Sequence, residues 1–179
     1  MAAIGWKTHE ERIEFYCDGS LISERFILTT SQCSKHADYG APSLVRLGIT
    51  NLALSDDAAA QVDVKIKRFL KFEGYDRVEH LNDIALIELE TDVEFNGTFI
   101  RPVCLQQTEF SGEKLIAECG GQGGSPIQSM FPDSLCMYSV VGLTSYGSPL
   151  CGKKFPLIFT KVSNYLDWIE MNVWPTTSI

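Results

Sequence analysis

Residues 17–33 read CDGSLISERFILTTSQC. Within them RFILTT (25–30) is apolar and β-branched between turn-type neighbours, which predicts a strand, and IEFYC (13–17) reads as another strand leading into the stretch. Its polar end places Gln32 immediately before Cys33, and His36 follows three places after the cysteine. A histidine near a cysteine at the end of a buried strand can be a general base, whereas a glutamine cannot accept and return a proton near neutral pH. The stretch therefore asks whether histidine-dependent chemistry survives in this chain.

Working outward, VRLGI (45–49) is a further strand candidate, and in QVDVKIKRFL (61–70) Val62, Val64 and Ile66 alternate with polar residues as in a half-buried strand. DIALIEL (83–89) is more continuously apolar, which predicts an interior strand. The one convincing helix is terminal: Ser163 can cap NYLDWIEMNVW and Pro175 stops it, with Leu166, Ile169 and Val173 on one face and Tyr165 and Trp168 beside it. Many short strands and one terminal helix imply a β-barrel or sandwich. No internal repeat, low-complexity tract or clear linker is visible. Composition changes abruptly once, where EKLIA (113–117) gives way to the glycine-dense ECGGQGGSPIQ (118–128). On composition alone that density reads first as a plain surface loop, although glycine density normally serves close backbone approach or positive φ.

At 179 residues the chain suits one domain with a real core. Its 45% hydrophobic and 21% charged residues are ordinary for a globular protein. A formal net charge of −8 argues against nucleic acid or an anionic membrane as partner. No apolar run approaches the ~20 residues of a bilayer span, and MAAIGWKTHEE shows no signal peptide. Cys17, Cys33, Cys104, Cys119, Cys136 and Cys151 form no C-x-x-C pair and sit at no zinc-ligand spacing from His9, His36 or His80, so neither metal nor cofactor is expected. Spread-out, even-numbered cysteines suggest disulfides and an oxidising compartment. Asn96-Gly97-Thr98 is a glycosylation sequon, in keeping with secretion.

These residues resemble the chymotrypsin/trypsin family of serine proteases (peptidase S1), most closely its arthropod clip-domain branch, which includes many catalytically dead homologues. CDGSLISERFILTTSQC looks like the strand pair that carries the family's catalytic histidine, and NDIALIELE (82–90) like the entry to the strand that carries its aspartate. FIRPVCL (99–105) is similar to the segment that follows. CGGQGGSPIQ (119–128) resembles a degraded nucleophile loop, C-x-G-D-S-G-G-P in the family. VVGLTSYGSPLCG (140–152) looks like the substrate-binding strand, represented by Ser145, Tyr146 and Gly147, and IFTKVSNYLDWIE (158–170) like the final strand and helix.

The resemblance implies the mechanism in which serine attacks a carbonyl, histidine takes its proton, a buried aspartate orients the histidine, and backbone N–H groups hold the oxyanion. Carried over residue by residue, it keeps the aspartate as Asp83. The T-A-A-H-C histidine becomes Gln32, a neutral residue filling the vacant slot and able to hydrogen-bond Asp83. The nucleophile position is Gly123, the activation aspartate is replaced by Gln122, and the opening lacks the family's I-V-G-G. Gly121 matches the oxyanion glycine, which has nothing to stabilise without nucleophile or base. Rescue would require Ser125 to move into the site together with a base relocated to His36 or His80.

By the same resemblance Cys17 pairs with Cys33 and Cys119 with Cys151. Cys104 matches the cysteine that ties clip-domain members to a light chain, while Cys136 has no assigned counterpart, so these two are either free or joined to each other. Complete domains of this kind run to about 200–250 residues, and the shortfall falls between Ala117 and Glu118. Ala117 also stands where the family has its acidic specificity residue.

The expected fold is all-β: a trypsin-like double barrel with a nearly complete first barrel, a truncated second one and a C-terminal helix. It forms a single incomplete domain over 1–179, with 1–105 the first-barrel part and 106–179 the remnant, including a helix at 163–174. The expected function is that of a secreted, inactive protease homologue that binds proteins, as cofactor or regulator of an extracellular protease cascade in innate immunity. The alternatives are a residual serine endopeptidase using a relocated serine, and a non-functional truncated or aberrantly spliced product.

Overall fold

Alternation along RFILTT and DIALIEL sends side chains to two opposite sides, and here both sides are buried. The computed structural model describes residues 1–49, 61–107, 115–117, 122–130, 138–146 and 158–175. In chain order its strands are β1 (Ala2–Lys7), β2 (Ile13–Leu21), β3 (Phe26–Thr29), β4 (Leu44–Leu47), β5 (Val62–Lys71), β6 (Ala85–Leu89), β7 (Cys104–Leu105), β8 (Leu115–Ala117), β9 (Pro126–Met130), β10 (Tyr138–Tyr146) and β11 (Ile158–Lys161). A helix, α1 (Leu166–Val173), ends the described chain.

The first six strands close into an antiparallel barrel in the order β1-β2-β3-β6-β5-β4. Closure is made by β1 against β4, with Ile4 opposite Val45, and it leaves no free sheet edge. Ile4, Trp6, Leu21, Ile27, Val45, Leu47, Ile87 and Leu89 fill its interior. The intervening residues Phe26, Leu28, Ile84 and Leu86 point the other way and join Val140, Leu143, Val162, Ile169 and Val173 in a second core. That core lies between the barrel and an open sheet ordered β11-β10-β9-β8, onto which β7 adds in parallel along β10. Being buried on both faces explains why DIALIEL carries no polar alternation. Of its two acidic residues, Asp83 opens the stretch and Glu88, also buried, is bonded by Lys67 and Arg68 of β5.

Several expectations need correction. Val62, the first residue of β5, is 40% exposed rather than inward, whereas Val64 is buried and Ile66 packs half-buried against the barrel core as the alternation requires. Ser163 does not cap the helix: Val162–Tyr165 form a 3₁₀ turn, and α1 begins after it with no side-chain cap. The apolar face of α1 is as expected, with Ile169 and Val173 buried and Leu166, Tyr165 and Trp168 packed against the second core. The strands β1 and β9 were not foreseen. Among the described residues no helix is long and apolar enough to cross a membrane.

Candidate functional site

The end of β3 turns sharply and is held by two independent ties. Thr30 stays extended, and Ser31–Ser34 then form a 3₁₀ turn. Cys33 is disulfide-bonded to Cys17 on β2, with the Cα atoms 6.0 Å apart. The Ser31 hydroxyl donates to the Ile84 carbonyl at 2.7 Å. These ties leave Gln32 pointing towards the residue before Ile84, which is Asp83.

Asp83 is fully buried. Its Oδ1 accepts the Gln32 backbone N–H at 3.0 Å. Its Oδ2 accepts the Gln32 carboxamide at 3.0 Å and the Ser145 hydroxyl of β10 at 2.6 Å. The Gln32 Nε2 also reaches the Ser145 carbonyl at 2.5 Å, so one side chain bridges barrel and sheet. The Thr160 hydroxyl of β11 donates to the Asp83 carbonyl at 2.9 Å. The approach to Asp83 is set by Asn82, at φ +53°, a conformation that asparagine tolerates better than most residues. Asn82 donates to the Gly74 carbonyl and accepts from the Tyr165 hydroxyl.

Gly123 completes the arrangement. A Cβ on it would lie 3.0 Å from Gln32 Nε2 and 3.3 Å from Cys33 Sγ, so a side chain there would project at Gln32. Gly124, at φ +86°, has no room for one: a Cβ would fall 2.1 Å from the Asp18 carbonyl oxygen and 2.3 Å from the Thr29 hydroxyl. Over its described residues, 122–128, the glycine-dense stretch is thus a place of close backbone approach rather than the expected plain surface loop. It is bonded to β2 through Asp18 N–H to the Gly123 carbonyl, and to β10 through Gly124 N–H to the Thr144 carbonyl.

Ser125 is fully buried and donates to the Asp18 carboxylate at 2.6 Å. Burial raises the pKa of Asp18 above the ordinary carboxylate value, while the Ser125 hydrogen bond pulls it back. This Asp–Ser pair escaped sequence reading. So did the use of the Ser145 hydroxyl to hold Asp83.

Neither candidate substitute base lies in this arrangement. His36 stacks on both Tyr16 and Tyr39, with ring centroids at 4.4 and 4.9 Å. His80 stacks on Tyr146 at 4.8 Å. Gln122 is exposed, and its carboxamide points to the Phe15 carbonyl. Gly121, Gly147, Cys119, Cys136 and Cys151 lie outside the described residues, as does the expected Cys119–Cys151 bond. Cys104 is disulfide-bonded, so it is not a free thiol. Among the described residues no group of three or more His, Cys, Asp or Glu is placed to hold a metal ion.

Chemically, the cluster of Gln32, Asp83, Gly123 and Ser145 offers a buried carboxylate ringed by donors. The Ser145 hydroxyl is buried and committed to the carboxylate.

Comparison with known proteins gives consistent results. The family model described as Trypsin matches residues 1–118. Serine protease snk of Drosophila melanogaster is 28% identical over 233 aligned residues, covering 95% of this chain and 53% of the relative. Phenoloxidase-activating factor 1 of Holotrichia diomphalia is 28% identical over 244 residues, covering 97% of this chain and 66% of the relative. The crystal structure of the Drosophila Grass clip serine protease of the Toll pathway superposes with a TM-score of 0.80 at 23% identity, covering 94% of this chain and 66% of that one. The chain therefore spans between about half and two thirds of the length of these relatives. Both sequence alignments are longer than the 179 residues available here, so the relatives carry residues inside the aligned span that this chain lacks.

Proposed function

The chain belongs to the trypsin family, and from that premise we propose that it is a catalytically inactive, secreted member that works by binding other proteins in an extracellular protease cascade of innate immunity. One observation carries the reading. The positions that the resemblance assigns to base, orienting acid and nucleophile converge in space, and two of the three hold Gln32 and Gly123. A carboxamide cannot relay a proton, and a glycine has nothing to attack with. The remaining member, Asp83, is fully occupied by Gln32 and Ser145.

Further support comes from the second sheet. Among the described residues it is open, and the family match stops at residue 118, beside the expected break between Ala117 and Glu118. The alternative of residual peptidase activity through Ser125 is disfavoured, because that hydroxyl is buried against Asp18 and both histidines are engaged in aromatic stacks elsewhere. The cascade role rests on relatives named as a serine protease and a phenoloxidase-activating factor.

The test is to incubate the purified, disulfide-bonded chain with a fluorophosphonate probe and a panel of peptide amides, then add it to a reconstituted clip-domain protease step. No labelling, no hydrolysis and a dose-dependent change in zymogen processing are expected. Labelling of Ser125, or a processing rate indifferent to the chain, would overturn the reading.

A further inference from the structure

Between two residues anchored in the barrel core, Val93 and Ile100, the chain makes a short outward loop. Asn96 closes it. Its backbone N–H donates to the Ile100 carbonyl at 3.1 Å. Its side-chain Oδ1 accepts the backbone N–H groups of Thr98, Phe99 and Ile100 at 3.2, 2.9 and 2.8 Å. Gly97 takes φ +70° at the tip, with nothing within 4 Å of where its Cβ would stand. Arg101 braces the tip through its bond to the Gly97 carbonyl.

This geometry divides the asparagine amide into two. Oδ1 is fully used by the loop, while Nδ2 makes no hydrogen bond to any described residue and belongs to an exposed side chain. Phe95 and Phe99, 40% and 50% exposed, occupy the same loop on either side of Asn96-Gly97-Thr98. Each is a large aromatic side chain left partly open to water beside the sequon.

We propose that Asn96 carries an N-linked glycan and that Phe95 and Phe99 are the apolar platform on which its first sugar rests. In the transfer, the C1–O bond of a lipid-pyrophosphate-linked oligosaccharide breaks and a C1–Nδ2 bond forms. The amide gives up one N–H proton, and the lipid pyrophosphate leaves. Oδ1 keeps all three of its hydrogen bonds, so the modified asparagine fits the loop as it stands. The sugar ring presents C–H groups to the aromatic faces, a contact that suits a ring with an electron-rich face. The loop thus holds the glycan in a fixed direction and covers its own hydrophobic residues. The inference rests on the secretory reading above, since transfer occurs in the secretory lumen.

The test separates the two claims by supplying entry to that lumen. The chain is expressed in insect cells behind a cleavable secretion leader, and the peptide containing Asn96 is analysed by mass spectrometry before and after glycosidase treatment in heavy-oxygen water. The expected result is a majority of Asn96 glycosylated in the secreted, folded protein. An unmodified Asn96 in that protein overturns the assignment, whatever the chain's natural compartment. Thr98→Ala removes the sequon while keeping Asn96 and its loop bonds, so the variant should fold, lose the glycan and bind more of an apolar fluorescent dye. For the platform, enzymatic deglycosylation should lower Tm in the parent and leave Tm unchanged in a Phe95→Ala/Phe99→Ala variant. An equal shift in both overturns the stacking.

Discussion

Gln32→Ala tests whether the glutamine in the base position is a structural part. Truncation removes the Nε2 bond to the Asp83 carboxylate and the Nε2 contact with the Ser145 carbonyl. It leaves the Gln32 backbone N–H and the Ser145 hydroxyl on Asp83. A hydrogen bond to a charged group contributes about 1.5–3 kcal/mol and one to a neutral carbonyl about 0.5–1.5 kcal/mol, so the expected loss is about 3 kcal/mol. For a domain of this size each kcal/mol lowers Tm by roughly 2–4 °C, giving a fall of about 6–12 °C in a thermal melt followed by circular dichroism. Gln32→His should lose less, because an imidazole N–H can donate to Asp83 in the same direction. Neither variant should gain hydrolytic activity while residue 123 is glycine. A fall below about 2 °C for Gln32→Ala would mean that water replaces the carboxamide without cost, and the bridging role would be refuted.

Four further outcomes follow from the structure. Gly124→Ala forces a methyl group into the Asp18 carbonyl at a positive φ; it should cost about 4 kcal/mol or more, visible as lost yield and a collapsed melting transition. Burial raises the Asp18 pKa, so the native state binds the extra proton and stability falls as pH rises from the unfolded value through the folded one. Asp18→Asn should therefore raise Tm at neutral pH, with the gain shrinking in acid. Glu88 is the opposite case: its hydrogen bond from Lys67 chiefly lowers its pKa, so its stabilisation is present above the unfolded value and is lost as pH falls through the folded one. Glu88→Gln should lower Tm at neutral pH and converge with the parent in acid. Finally, Gln32→His combined with Gly123→Ser should gain slow fluorophosphonate labelling at residue 123 that neither single change gives. Its absence would count against reading these two positions as the emptied base and nucleophile.

What was legible in the sequence depended on whether a residue's role is local. The strands RFILTT and DIALIEL announce themselves because apolar side chains fill both faces. β1 does not, since AAIGW is buried throughout and offers neither alternation nor a turn signal. β9 starts at Pro126, directly after the glycine stretch, where proline and glycine usually mean a loop. Ser163 looked like a cap because a 3₁₀ turn leading into a helix has no separate sequence signature. At the site, the contact between Gln32 and Asp83 was readable because the resemblance put both residues in one place. The Ser125–Asp18 bond joins residues 107 apart, and nothing near either one signals it.

A buried carboxylate tolerates only certain replacements in its neighbourhood. Had the base position drifted to an apolar residue, Asp83 would have lost a donor in a site closed to water, a penalty of about 1–3 kcal/mol. Glutamine aims an N–H at the carboxylate and adds a second bond to β10. The serine beyond the glycines behaves alike: Ser125 meets Asp18, and residues 123–125 are bonded to β2 on one side and β10 on the other. On the reading proposed above, polar atoms that would move protons in an enzyme are here fixed donors and acceptors along the seam between barrel and sheet. Such a seam would give up catalysis without loosening the fold, which is the condition a binding surface built on this scaffold requires.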